Sequence, residues 1–166
     1  PITFTTPVKG SSVLTASEGR PLYNRASTRE GRSVHSEILR RVSRGWPTGA
    51  REVLKSRRAH QNLGPVQIAQ SWRAIAQGYF RAGKDEAALE AATASHAAAP
   101  GDAPLAYWWG GLAAWRLGRL DEAETLFGEL ARAHRASDSL VAAGSFWAGR
   151  TALANGHPSS VTAYLE

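Results

Sequence analysis

Four glycines, Gly45, Gly83, Gly118 and Gly156, follow one another at intervals of 38, 35 and 38 residues. Five residues after each stand Ala50, Ala88, Ala123 and Val161, and nine after stand Leu54, Ala92, Phe127 and Leu165. Pro47 and Pro158 come two residues after the first and last glycine, a place that suits the first turn of a helix, where no backbone donor is needed. The stretch Trp72 to Phe80 lies over Tyr107 to Trp115, and Phe146 to Arg150 lies over Trp108 to Leu112. A period near 35 residues, with two helices per unit, restricts the chain to an all-α fold. The expected architecture is a superhelical α-solenoid of about four tetratricopeptide-like hairpins.

The clearest unit is Leu105 to Leu130, which divides at Gly118. Its first half sets Tyr107, Trp108, Trp109 and Trp115 beside Gly110 and Gly111. Glycine inside a helix costs about 1 kcal/mol relative to alanine, so the pair predicts another helix packed close to this backbone. Gly149 stands at the place of Gly111 in the next unit and predicts the same tight contact. The second half opens with Asp121 and Glu122, acids suited to a helix start, and repeats Ala123, Leu126, Phe127 and Leu130 at helical steps.

Residues 1–33 are rich in Ser, Thr, Gly, Pro and Arg without sustained periodicity, and read as an extended or poorly ordered basic arm. The helical-repeat domain is expected over residues 34–166, truncated at its C-terminal end. Val34, Ile38, Leu39 and Val42 form the apolar stripe of its first helix, which ends near Gly45, and Pro47 to about Ala59 forms the partner. Gly64-Pro65, the run from Ala99 to Pro104, and a turn around Ala136 to Ser139 separate the later hairpins. The longest largely apolar run without charge, Pro104 to Trp115, falls short of the roughly 20 residues a membrane helix needs. No secretory leader is visible, and with no methionine in the chain Pro1 is not expected to be a translation start.

Residues 1–60 carry 12 Lys and Arg against 4 acids, and residues 61–166 carry 8 against 10, so the positive charge lies in the first third. That basic part holds few aromatic rings, so the stacking platforms of a single-strand binder are lacking and no nucleic acid is expected as partner. Without cysteine there are no disulfides, thiol nucleophiles or thiolate metal sites. His35, His60, His96, His134 and His157 are scattered and match no zinc spacing, so no metal is expected. No phosphate-binding glycine loop, nucleophile elbow or dinucleotide fingerprint occurs, and no cofactor is expected. Asp85-Glu86 and Asp121-Glu122 sit just after turn glycines, where carboxylates favour a helix start, and no catalytic residue is assigned.

The aromatic residues are the candidate site. In tetratricopeptide-like stacking, Trp72 and Tyr107 face the partner helix, while Phe80, Trp108, Trp115 and Phe146 fall at the register that lines the inner curve, with Arg73 and Arg150 close by. A glycan or a peptide could stack there. Packing between repeats is the competing use of the same rings.

The run Trp109-Gly110-Gly111-Leu112-Ala113-Ala114-Trp115-Arg116-Leu117, followed by Ala123 and Phe127, and then Ala142 through Arg150, resembles the helical superhelix of soluble lytic transglycosylases. Gly111-Leu112 stands where that family usually has Gly-Trp, and Phe146 where it has Tyr. The resemblance covers roughly residues 66–166. It implies a periplasmic peptidoglycan-cleaving enzyme whose catalytic glutamate lies in a lysozyme-like domain expected beyond Glu166, in the parent protein. This chain would then be a non-catalytic scaffold, with peptidoglycan glycan strands or a protein as partner. The alternative from another class is a stand-alone tetratricopeptide-like adaptor that binds a protein or peptide in its groove.

Overall fold

The computed structural model describes residues 28–165. All of their regular structure is helical: α1 Arg29–Ser43, α2 Pro47–Lys55, α3 Arg57–Asn62, α4 Pro65–Arg81, α5 Asp85–Ala98, α6 Pro104–Arg116, α7 Leu120–Ala131, α8 Asp138–Ala154 and α9 Pro158–Leu165. From α5 to α9 each helix packs on the one before it, and α4 also rests on α1, α2 and α6. No helix among the described residues is long and apolar enough to cross a membrane.

The repeat glycines all do one thing. Gly45, Gly83, Gly118 and Gly156 have φ of 76°, 69°, 72° and 77°, the left-handed region that side chains avoid. At each, two crossed hydrogen bonds close the helix. Gly118 N–H donates to Trp115 O at 3.1 Å, and Arg119 N–H reaches back to Ala114 O at 2.9 Å. The corresponding pairs recur at Gly45, Gly83 and Gly156, so four helices end in the same Schellman closure. Pro47, Pro65, Pro104 and Pro158 each open the first turn of a helix.

The core is built from small residues interleaved with a few large ones. Ala50, Ala88, Ala123 and Phe127 are fully buried, as are Ile38, Ile75 and Leu130. A Cβ added at Gly110 would stand 2.7 Å from Ala92 Cβ, and one at Gly111 would stand 2.7 Å from the Phe127 ring, so this pair does mark a close contact. Gly149 does not share it: its nearest neighbour would be Val161 Cγ1 at 3.7 Å, ordinary contact. The tightest backbone approach falls at Gly144 instead, where a Cβ would lie 2.8 Å from Ala131 N.

Two boundaries differ from the sequence expectation. α1 begins at Arg29, inside the span assigned to the arm, because the Thr28 hydroxyl accepts the Gly31 N–H at 2.9 Å and caps a polar first turn. Of the expected arm, residues 1–27 lie outside the described residues. The partner of α1 is not one helix to Ala59. It breaks at Ser56, which turns extended (ψ 152°) and caps α3 by accepting from Ala59 N–H at 3.3 Å.

Polar ties also link helices of neighbouring units. Arg51 on α2 meets Glu90 on α5 at 2.6 Å, Arg119 meets Glu86 at 2.7 Å, and Asn155 donates to Asp121 at 2.6 Å. Being exposed, each of the two ion pairs contributes only about 0–1 kcal/mol; they fix alignment more than stability.

Candidate functional site

The aromatic residues follow a rule across the helices that end at the repeat glycines. Nine residues before the glycine stand Ala74, Trp109 and Trp147; three before it stand Val42, Phe80, Trp115 and Leu153. The residue at minus nine in one unit packs on the residue at minus three in the unit before. Trp109 lies 5.4 Å from Phe80 between ring centroids, and Trp147 lies 5.7 Å from Trp115. These are distances at which aromatic pairs add about 0.5–1.5 kcal/mol beyond burial.

Trp147 is the centre of the group. Besides Trp115 it meets Trp108 at 6.3 Å, stacks on the buried Phe127 at 5.5 Å, and stands edge-on to Phe146 at 6.3 Å. Arg150, one turn along α8, places its guanidinium 5.0 Å from the Trp147 ring and 5.4 Å from Trp115. α6 and α8 therefore meet chiefly through indole rings, while α4 and α6 pack more directly.

Of the expected site residues, Trp108, Trp115, Phe146 and Arg150 come together around Trp147. Phe80 belongs to the seam before, under Trp109 and beneath the Arg116 guanidinium at 3.6 Å. Arg73 is elsewhere again, beside α1, where burial lowers the pKa of its guanidinium. Trp108 and Trp115 are half-buried by their neighbours, whereas Phe146 is 57% and Leu153 59% exposed. The open part of the surface is thus the face of α8 that carries Phe146, Arg150 and Leu153, one helical stripe.

Tyr107 is buried and faces backwards: its hydroxyl lies 2.7 Å from His96 Nδ1 on α5, the preceding helix. Trp147 and Leu153 are not among the candidate residues that the sequence singles out. The signal for both was the alignment itself, since they stand where Trp109 and Trp115 stand one unit earlier.

Most carboxylates among the described residues have a structural partner. Glu30, Glu37, Asp85, Glu86, Glu90, Asp102, Glu122 and Glu129 each meet an arginine. Glu124 lies 3.1 Å from His157 Nδ1, Asp121 accepts from Asn155, and Glu52 and Asp138 are exposed. Glu124 and His157 join α7 to α9 together with Tyr164, whose hydroxyl donates to Glu124 at 3.5 Å and whose pKa is raised by burial and by that carboxylate. No group of three metal-ligating side chains occurs among the described residues. Comparison of this chain with protein-family models, with curated proteins and with solved structures finds no match.

Proposed function

We propose that this chain is the non-catalytic helical scaffold of a peptidoglycan-cleaving lytic transglycosylase, coiled as a tetratricopeptide-like solenoid in the periplasm. It holds a glycan strand for a lysozyme-like domain that belongs to the parent protein. The observation that carries the reading is the α8 face, where exposed Phe146 and Leu153 flank an arginine laid over two indoles. Flat apolar rings next to a guanidinium suit the faces of sugar rings and the carboxylates attached to them. The Trp109 to Leu117 and Ala142 to Arg150 runs supply the link to the family.

The carboxylates support the non-catalytic part of the reading. A proton donor to a glycosidic oxygen sits free in an apolar cleft, whereas these carboxylates are engaged by arginines, by His157 or by Asn155, or are exposed. Co-sedimentation with purified peptidoglycan tests the binding surface. The full chain should pellet with the sacculi, and Phe146→Ala combined with Arg150→Ala should release it while the helical melting curve stays in place. Unchanged pelleting of that double variant would remove α8 as the binding face.

A further inference from the structure

Trp46 stands just before α2 and is 59% exposed, yet its ring is held in place. The Schellman closure at Gly45 fixes its backbone, with Trp46 N–H donating to Arg41 O at 2.9 Å. The indole then lies against Gly49, where an added Cβ would stand 2.8 Å from Cε2 and 2.9 Å from Cδ2 of the ring. Arg41 steadies it from beside: its guanidinium lies 5.3 Å from the ring centroid and donates to Gly49 O at 3.1 Å. An apolar ring that is ordered but left in water has lost its conformational freedom before any partner arrives, which favours binding. A single exposed ring is ordinary; the surroundings set this one apart.

Trp46 belongs to one of two projecting turns. Ser43 to Trp46 are exposed in a row, as are Arg81 to Lys84 at the corresponding turn after α4, and a Cβ at Gly45 or Gly83 would meet nothing within 4 Å. The turns are neighbours: Gly45 and Arg81 border one cleft between α1 and α4, and Pro47 Cβ lies 3.0 Å from where a Cβ on Gly78 would stand. Together they bear Arg40, Arg44, Arg81 and Lys84, all exposed and none in an ion pair with a carboxylate among the described residues. The acids next to them in sequence are already engaged, Glu37 with Arg41 at 2.8 Å, Asp85 with Arg116 at 3.4 Å and Glu86 with Arg119 at 2.7 Å. Those same pairs neutralise the arginines of the third turn, around Gly118, so the uncompensated charge is confined to the first two.

We infer that these two turns dock the chain on an anionic lipid surface, with the Trp46 indole set among the headgroups and Arg40, Arg44, Arg81 and Lys84 facing their phosphates. Indoles favour the headgroup layer, which accommodates both the apolar ring and its N–H, and each cation near an anionic leaflet contributes about 1 kcal/mol. A peptide partner is met by a groove, whereas projecting turns that offer a ring among cations fit a plane. This surface belongs to the first two units, is separate from the α8 face and does not rest on the glycan reading.

The test is flotation of the full chain with vesicles of phosphatidylcholine, alone or mixed with phosphatidylglycerol. The chain should float with the mixed vesicles only, and added salt should release it. Trp46→Ala should weaken binding at least about tenfold while the melting curve stays in place. Arg44→Gln combined with Lys84→Gln, which leaves the indole untouched, should also weaken it more than about tenfold, the loss of two surface cations. Bromine on the acyl chains should quench part of the indole emission of the unmodified chain, and that quenching should vanish in Trp46→Phe. Absence of flotation with the mixed vesicles, or equal flotation with the neutral ones, would overturn the proposal. Full flotation of Trp46→Ala would do so too, since residues 1–27 or charge alone would then carry the binding. Quenching that persists in Trp46→Phe would overturn it by placing another tryptophan at the bilayer. A soluble polyglutamate that binds as tightly as the vesicles, with Trp46 dispensable, would overturn it by assigning the surface to an acidic protein.

Discussion

At Gly144 a single methyl group is too much. A Cβ there would stand 2.8 Å from Ala131 N and 3.1 Å from Leu130 C, and backbone cannot move aside as a side-chain tip can. Gly144→Ala should therefore destabilise by about 1–3 kcal/mol in urea unfolding. Gly149→Ala should do the opposite, gaining about 0.4–1 kcal/mol, because its helical backbone suits alanine and 3.7 Å of clearance awaits the methyl. Equal effects from the two would mean that α7 and α8 are not packed as described. A second residue-scale expectation concerns His35. Burial first, and the Arg73 charge second, lower its pKa below the ordinary 6.5. The unfolded chain then binds the proton more readily than the folded one, so this contribution to stability is complete above pH 6.5 and is lost as the pH falls through the lower folded value. Melting temperatures between neutral and mildly acid pH should decline less steeply for His35→Gln than for the unmodified chain.

At the scale of the helices, the turns are the most specified features. Gly118→Ala forces a side chain into the left-handed region at φ 72° and should cost about 1–2 kcal/mol, with nothing nearby to clash. Ser56→Ala removes the cap of α3 and should cost about 1 kcal/mol, read as a lower denaturation midpoint at unchanged slope. The helices and their closures were legible because Schellman turns need glycine and the first turn welcomes proline, both of which mark the sequence visibly. The start of α1 was not legible, because Arg29 to Arg32 present no apolar residue and the stripe begins only at Val34. Nor was the break at Ser56, since its neighbours are all acceptable in a helix and the hydroxyl's choice between continuing and capping is settled by packing. The site was half legible. Periodicity selects the face that rings share but not which ring the next helix covers, so Phe80 and Trp115 were grouped with Phe146, although only Phe146 is largely open.

For the molecule as a whole, Trp147 and Phe146 separate cohesion from recognition. Trp147→Ala removes a ring shared by α6, α7 and α8 and should cost about 3–5 kcal/mol, visible as a large drop in melting temperature. Phe146→Ala should leave melting nearly unchanged. Catalysis gives a further expectation: residues 1–166 should release no anhydro-muropeptides from peptidoglycan, and turnover lost on mutating one of their own carboxylates would remove the scaffold reading. The seam rule also bears on how such a chain can change by duplication and loss. Because every ring is finished by the following unit, segments are exchangeable only in whole periods. Excising residues 84–118 would join Gly83 to Arg119 in register and carry Trp147 onto Phe80, the partner that Trp109 now covers. Phe80 with Trp109 and Trp115 with Trp147 pair across connections of different length, so whole units and not one exact length are what must be kept, and the history open to this sequence is one of counting in units near 35 residues.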